Sequence, residues 1–175
     1  GAGIIQDGLP LHGAFNTAGE MGHMIVEKDG RPCACGQHGC LERYASGTGI
    51  AARAQEVLAT RDFKDRPQTT ETVFALAKEG NPLAQQVVSE SVCYLAIGIT
   101  NVVNVLGSQL VLVGGGVAQN PDDFFFVPLK DRIYHYGYRG WTKDHVLEIR
   151  KAALGTDAVM IGAAVIHKSL SSESA

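Results

Sequence analysis

The residues best suited to chemistry in this sequence are gathered in one short stretch. Residues 33–42 read CACGQHGCLE, a run that holds three of the chain's four cysteines and closes on a glutamate. A Cys-x-Cys pair does not close easily into a disulfide, because neighbouring side chains point apart and the ring is strained. A bridge from Cys35 to Cys40 would leave Cys33 unpaired, and the redox pattern Cys-x-x-Cys is absent. These thiols are therefore better suited to binding a metal ion.

Zinc is the ion that best matches these ligands. Gly36 and Gly39 supply tight turns that let the three thiolates converge, and zinc then needs one further ligand to complete a tetrahedron. His23 is the nearest good candidate, ten positions before the first thiolate, and His38 is the other. Four protein ligands leave no open position, so the predicted ion is structural. Three free cysteines in a loop are the simpler alternative.

Three other features have a plain structural interpretation on their residues alone. Glu42, two positions after the last thiolate, is typical of a solvated charge on a helix. Cys93 lies in an apolar stretch and is interpreted as a small hydrophobic core residue. The run Phe124-Phe-Phe126 could suggest a stacking platform, but we interpret it as core or interface packing.

The elements that must position these residues alternate between helices and strands, which indicates a layered α/β domain. The segment from Pro82 has apolar residues at three- and four-residue intervals, the stripe of a buried helix. Residues 109–113 are almost continuously apolar, which predicts a strand of a parallel sheet covered on both faces. The predicted elements are a hairpin within residues 1–11, strands at 24–27, 109–113 and 146–150, a helical turn at 41–45, helices at 50–58, 71–79, 82–106, 122–136 and 157–168, a polar loop at 60–70, and a frayed serine-rich end.

The amino-acid composition excludes few classes of protein. The chain has 175 residues, 45% hydrophobic and 19% charged, with a net charge of −3. This charge gives no electrostatic reason to expect binding to nucleic acid or to an anionic membrane. No uninterrupted apolar run reaches the ~18 residues of a membrane span, and no signal peptide opens the sequence, so we expect a cytoplasmic location. No internal repeat is present.

The segment EMGH at residues 20–23, followed by CACGQHGCLE, resembles the signature of the ROK family of sugar kinases and sugar-responsive repressors. The family pattern joins E-x-G-H, C-x-C-G-x-x-G-C and a following glutamate. The segments LVLVGGGV and GTDAVMIGAA agree with it. The resemblance covers essentially all 175 residues, but only about the C-terminal half of a family member.

The resemblance implies a fold and a division of the chain. The fold is the actin-like, ribonuclease H-like ATPase fold, and residues 1–175 would form its C-terminal lobe, a hairpin-led mixed sheet flanked by helices. A zinc- and sugar-binding loop would occupy residues 20–49, and the nucleotide-side sheet and helices residues 82–168. Homodimers or tetramers are expected by the same resemblance.

Specific roles for individual residues also follow from the resemblance. The zinc ligands would be His23, Cys33, Cys35 and Cys40. The sugar-binding residues would be Glu20, His23 and Glu42, so that His23 serves both sites through its two ring nitrogens. A carboxylate accepts two hydrogen bonds and suits neighbouring sugar hydroxyls.

The glycine stretches are weaker signals. Gly1 and Gly3 resemble the end of the family's phosphate-binding hairpin, although a plain hairpin strand explains them equally well. Gly114, Gly115 and Gly116 lie between a predicted strand and a helical segment, where nucleotides bind open α/β sheets. They do not form G-x-G-x-x-G, and a tight turn is the alternative. By resemblance both stretches would contact ATP, which binds with magnesium.

The catalytic base is not expected within these residues. The family's kinases carry D-x-G-G-T and an Asn-Asp pair in an N-terminal lobe, and neither pattern occurs in residues 1–175. The resemblance thus predicts the C-terminal lobe of an ATP-dependent kinase acting on glucose, fructose or an N-acetylhexosamine, inactive on its own. The alternatives are the sugar-sensing domain of a DNA-binding repressor and a zinc-stabilised module that serves only assembly. An upstream Asn-Asp pair would identify the kinase, and an upstream helix-turn-helix the repressor.

Overall fold

The computed structural model describes residues 1–58, 69–142, 147–158 and 160–165. Its helices are α1 (Glu42–Ala45), α2 (Gly47–Leu58), α3 (Thr70–Lys78), α4 (Pro82–Leu106), α5 (Phe126–Tyr136) and α6 (Arg139–Thr142). Its strands are β1 (Ile5–Gln6), β2 (Leu9–Pro10), β3 (Leu110–Val113) and β4 (Glu148–Lys151), with 3₁₀ turns at Met21–His23, Gly116–Gln119 and Gly155–Asp157. The α/β class predicted from the sequence is confirmed.

Helix α4 is the centre of the fold, as its apolar stripe predicted. It begins at Pro82, where the Asn81 side chain accepts hydrogen bonds from the next free backbone N–H groups. It ends at Gly107, whose φ of 63° is the left-handed conformation that stops a helix. The buried residues of the stripe pack against α2, α3 and α5, whereas Leu106 is exposed. The core is therefore formed by helices on both sides of α4.

The length of α4 also bears on the membrane question. By length and composition alone, this helix of 25 residues could cross a bilayer. This corrects the expectation that no segment is long and apolar enough to do so. Half of its most apolar 18-residue window is buried inside the fold. Core helices of globular proteins pass the same test, so α4 is weak support for a membrane span.

The strands form two separate pairs in the described part of the chain. β1 and β2 form the predicted hairpin, turning at Asp7 and Gly8, which both have positive φ. β3 and β4 are parallel, with Leu110 opposite Glu148. The expected single mixed sheet covered on both faces is not seen among the described residues, where β3 pairs with β4 alone and Leu112 is 60% exposed.

The strand predicted at residues 24–27 is wrong. Ile25 forms an isolated bridge with Cys40, and no ladder extends from it. Val26 and Glu27 both donate backbone hydrogen bonds to the single carbonyl of Gly39. The cysteine turns redirect the chain here, so the second strand that a ladder requires does not form.

The remaining predicted boundaries hold with small shifts. α2 begins three residues early at Gly47, because the Ser46 hydroxyl accepts a hydrogen bond from Gly49 and caps the first turn. α5 begins four residues late at Phe126, after turns that close on Pro121. Residues 160–165 are helical, within the predicted last helix. Most of the polar loop and the whole serine-rich end lie outside the described residues, as does Val146.

Two interpretations of single residues can be compared with the packing. Phe125 is 1% exposed and meets Phe74 edge-on, with ring centroids 6.2 Å apart, so the aromatic run does pack into the core. Cys93 is only half-buried and lies 3.0 Å from the Arg132 Nε atom of α5. It is therefore a partly polar contact between α4 and α5, not a simple core hydrophobe.

Candidate metal centre and adjoining carboxylates

Glycine turns bring the cysteines of the 33–42 stretch together, as expected. Gly36 and Gly39 have φ values of 91° and 79°, which side-chain-bearing residues rarely adopt. At Gly39 a Cβ would also lie 1.8 Å from the Glu27 carbonyl oxygen, so no other residue fits the backbone there. Between the turns the Cys33 N–H donates to the Gln37 carbonyl at 2.8 Å. The loop thus doubles back tightly.

Four ligand atoms converge inside this loop. Those of His23, Cys33, Cys35 and Cys40 all lie within 4.8 Å of one another. The Cys35 and Cys40 sulfurs are 3.6 Å apart, and the Cys33 sulfur is 3.7 Å from His23 Nδ1. Zn–S bonds of about 2.3 Å at tetrahedral angles separate two sulfurs by about 3.8 Å. The geometry therefore fits a single tetrahedral ion.

Of the two histidines considered as the fourth ligand, His23 lies in the cluster. His38 is exposed and pairs its backbone with Pro32 on the other side of the turn. Two cluster thiols, Cys33 and Cys40, are buried, and Cys35 is exposed. An ion would thus be enclosed on the side of Cys33 and Cys40 and closer to solvent on the side of His23 and Cys35.

The thiols have different proton affinities in the absence of an ion. The Cys35 backbone N–H lowers the pKa of Cys33, but the hydrogen bond to Glu42 and burial raise it more strongly, to about 12. Burial raises the pKa of Cys40. The backbone N–H of Gln37 lowers the pKa of Cys35, which makes it the readiest thiolate of the three.

The three residues expected to bind sugar adjoin this cluster. Glu20 Oε2 lies 3.9 Å from His23 Nε2, the ring nitrogen that faces away from the thiols. The Cys33 thiol donates to Glu42 Oε1 at 3.0 Å. A Cβ on Gly22 would lie 3.5 Å from the Cβ of Glu42, so the glutamate stands over the turn that carries His23. Two carboxylates and one imidazole nitrogen are therefore grouped beside the metal ligands.

Sequence reasoning missed an aromatic contact that holds the loop on α4. The Tyr44 and Tyr94 rings stack with centroids 4.2 Å apart, and the Arg31 guanidinium lies 4.4 Å from the Tyr44 ring centroid. The Tyr94 hydroxyl donates to Glu27 at 2.7 Å, and burial and this carboxylate raise the Tyr94 pKa to about 12. A tyrosine in the apolar pattern of α4 was the available signal, since buried hydroxyls seek partners.

The amino-terminal glycines lie next to this site. The Ala2 N–H donates to the Gly19 carbonyl at 3.0 Å, immediately before Glu20. A Cβ on Gly19 would lie 2.2 Å from the Ala2 carbonyl oxygen, so this close approach requires glycine. Gly1 and Gly3 are exposed, with open space where a Cβ would be. Their backbone is accessible to a ligand beside the carboxylates.

The second glycine stretch follows β3, as predicted. Gly115 has a φ of 84°, and Gly116 begins a 3₁₀ turn that ends at Gln119. All three glycines are exposed. A tight strand-to-helix turn and a nucleotide-binding turn both have this geometry.

The amino-acid sequence is similar to those of known sugar kinases. The ROK family model matches residues 1–169. A glucokinase of Halalkalibacterium halodurans is 36% identical over 171 residues, 93% of this chain and 51% of the relative. An N-acetylmannosamine kinase of Citrobacter koseri is 40% identical over 117 residues, 67% of this chain and 38% of the relative. The chain thus spans about half or less of the length of these relatives.

Solved structures give the same result for the fold. A ROK family glucokinase from Streptomyces griseus, in complex with glucose and AMPPNP, superposes with a TM-score of 0.80 at 26% identity and covers 94% of this chain and 55% of its own. A ROK family transcriptional regulator, a homologue of the E. coli MLC protein, has a TM-score of 0.74 at 31% identity and covers 96% and 43%. Kinases and a regulator therefore share this half of the fold.

Proposed function

The chain belongs to the ROK family, and we propose that it is the C-terminal lobe of an ATP-dependent sugar kinase. The carrying observation is the grouping of Glu20, His23 and Glu42 beside a four-ligand cluster. The substrates are a hexose such as glucose or fructose, or an N-acetylhexosamine. Kinases named for glucose and for N-acetylmannosamine among the relatives support this substrate class.

Glu20, His23 and Glu42 bind the sugar in this proposal. Each carboxylate accepts hydrogen bonds from hydroxyl groups, and charged acceptors make the stronger bonds. A site built from such acceptors discriminates against analogues that lack a hydroxyl, because its own polar groups are then left unpaired. His23 Nε2 contributes from the same side as Glu20, 3.9 Å from its Oε2 atom.

Zinc would be held by His23, Cys33, Cys35 and Cys40. A donor set of three thiolates and one imidazole suits zinc, and the separations of the ligand atoms fit a tetrahedron. Its chemistry there is that of a crosslink with no open coordination position. The four residues fix the loop from which the sugar-binding side chains project.

In this proposal, ATP and magnesium bind at the two exposed glycine stretches, residues 1–3 and 114–116. Gly1 and Gly3 offer exposed backbone N–H groups for phosphate oxygens, and Gly114, Gly115 and Gly116 line the nucleoside. The catalytic base that accepts the proton of the sugar hydroxyl belongs to the part of the relatives that this chain does not span. Phosphoryl transfer depends on positioning these groups together. We place the protein in the cytoplasm, where ATP is available.

A sugar-sensing domain of a repressor is the second candidate. The regulator superposes over 96% of this chain with a TM-score of 0.74, so the lobe suits both uses. The kinase is favoured because both named relatives are kinases. Nucleic acid would be a partner only for the repressor.

The test is a coupled ADP-release assay on the full-length protein with ATP, magnesium and a panel of hexoses and N-acetylhexosamines. Sugar-dependent ADP release by one or a few members of the panel is expected. Sugar binding by calorimetry without any ADP release would contradict the kinase and favour the repressor. Absence of both would contradict the sugar site itself.

A further inference from the structure

Helix α4 meets the carboxylate site at a glycine. Gly98 is buried near the middle of α4, and a Cβ built on it would lie 2.5 Å from Leu41 Cδ2 and 3.3 Å from Met21 Cε. Met21 directly follows Glu20, and Leu41 directly precedes Glu42. The chain neighbours of both carboxylates therefore rest on the same point of the helix.

The two segments are also joined to each other at this point. The Leu41 N–H donates to the Met24 carbonyl at 2.9 Å, and Ile25 pairs with Cys40 in the neighbouring bridge. Leu41 is only 3% exposed, so its side chain has little room in which to move. A displacement of Leu41 would pass into the backbone that carries Glu42.

A second contact on the same face of α4 fixes the position of residues 20–44 along this helix. Tyr94 lies four residues before Gly98 and so projects from the same face. Its hydroxyl donates to Glu27 at 2.7 Å, and its ring stacks on Tyr44. The loop is thus held on α4 both before and after the thiolate turns.

We propose that Gly98 is a positioning residue for sugar binding. The absence of a side chain there seats Met21 and Leu41 against α4 and so sets the separation of the Glu20 and Glu42 carboxylates. The inference rests on the proposed role of these two residues. Helix α4 carries none of the proposed sugar ligands, yet through Gly98 it would affect sugar affinity.

The test compares Gly98→Ala with wild type in the zinc-loaded full-length protein. A single methyl group displaces Leu41, and misplacement of a binding group by a fraction of an ångström should raise the sugar Kd and KM about tenfold or more. The KM for ATP and the zinc content should stay at the wild-type values. The melting temperature should fall only modestly, because crowding of the buried Leu41 side chain opposes the better helix propensity of alanine.

A compensating variant and a control separate positioning from general damage. Valine lacks the Cδ atoms nearest to position 98, so Gly98→Ala combined with Leu41→Val should restore sugar affinity towards wild type. Asn101→Ala, at an exposed position of α4, should leave sugar affinity unchanged.

Unaltered sugar affinity in Gly98→Ala, while wild type binds sugar, overturns this inference alone. A joint loss of zinc, stability and sugar binding that Leu41→Val does not restore also overturns it, because the glycine is then structural. A wild-type protein that binds no sugar removes the proposed function and this inference with it.

Discussion

His23 is the residue at which the metal cluster and the carboxylates meet. Its Nδ1 atom lies 3.7 Å from the Cys33 sulfur, and its Nε2 atom 3.9 Å from Glu20 Oε2. An ion on Nδ1 leaves the proton on Nε2, so that nitrogen becomes a fixed hydrogen-bond donor. A single ring would thereby couple metal binding to the group of residues proposed to bind sugar.

Glu42→Gln should weaken sugar binding without unfolding the protein. Glutamine keeps the shape and most of the polarity of the side chain, but it loses the charge that strengthens hydrogen bonds to hydroxyls. A loss of about 1–1.5 kcal/mol in sugar binding is expected, the difference between a charged and a neutral hydrogen bond. Calorimetry with the sugar measures it. Glu79→Gln, at an exposed position after α3, is the control, and an equal loss of thermal stability in Glu42→Gln would make Glu42 a structural residue.

The protein should contain one zinc ion per chain, and Cys40→Ser should lose it. Cys40 is fully buried within the cluster, so serine removes one of the four candidate ligands. Because thiolate sites in zinc peptides contribute roughly 10–16 kcal/mol at neutral pH, a marked fall in melting temperature should accompany the loss. Elemental analysis and thermal unfolding measure both effects. Cys93→Ser is the matched control, since Cys93 contacts Arg132 of α5, and zinc retained in both variants would refute the cluster.

At the scale of elements, the two turns of the thiolate loop make different demands on their glycines. Gly39→Ala places a Cβ against the Glu27 carbonyl, whereas Gly36→Ala meets open space. Both substitutions carry the strain of a positive φ, of order 1–3 kcal/mol, but only the first adds a backbone clash. We expect Gly39→Ala to lose zinc, and Gly36→Ala to keep it with a modest fall in melting temperature. Zinc content measures the difference, and equal effects would mean that φ alone governs the loop.

The helices were predictable because their limits are local. Asn81 before Pro82, the apolar stripe of α4 and Gly107 after it are all legible along the chain. The strands were harder, because pairing depends on a partner distant in sequence. The segment at residues 24–27 has strand-like residues. The Val26 and Glu27 N–H groups nevertheless both donate to the Gly39 carbonyl, and no ladder forms among the described residues.

The convergence of the candidate metal ligands was predictable for the same reason that the helices were. Cysteine spacing and glycine turns lie within one short stretch, so the cluster follows from local geometry, and only the choice between His23 and His38 required the fold. The contact of Gly98 with Leu41 and Met21 could not be predicted. A glycine in an apolar helix pattern gives no sign of which distant side chains approach it.

At the scale of the whole molecule, residues 1–175 alone should not phosphorylate any sugar. These residues include the carboxylates proposed to bind sugar but contain no Asn-Asp pair. Loss of positioning can forfeit ~7–11 kcal/mol of barrier lowering, and loss of a general base a further ~10²–10⁴-fold in rate. The coupled ADP-release assay should therefore be silent for this segment and positive for the full-length protein. Turnover by the segment would contradict the requirement for a second lobe.

Self-association is expected through exposed apolar and aromatic side chains on and next to α5. Val127, Tyr136 and Tyr138 are 47%, 41% and 70% exposed on or next to this helix, and exposed apolar groups often mark an interface. Light scattering of the full-length protein should give a dimer or larger species. Tyr138→Ser combined with Val127→Asp should shift it towards the monomer, and a wild-type monomer at tens of micromolar, a range that detects micromolar Kd values, would refute the interface.

The order of the candidate metal ligands and the proposed sugar-binding residues along Glu20–Glu42 has a consequence for protein engineering. His23 lies between the two carboxylates in sequence, and the thiolates lie between His23 and Glu42. If both proposed roles hold, a graft of this span that carries one function into another scaffold would carry the other as well. A recipient scaffold would also need a helix with a glycine facing Met21 and Leu41. A larger side chain at that position would collide with the transplanted loop.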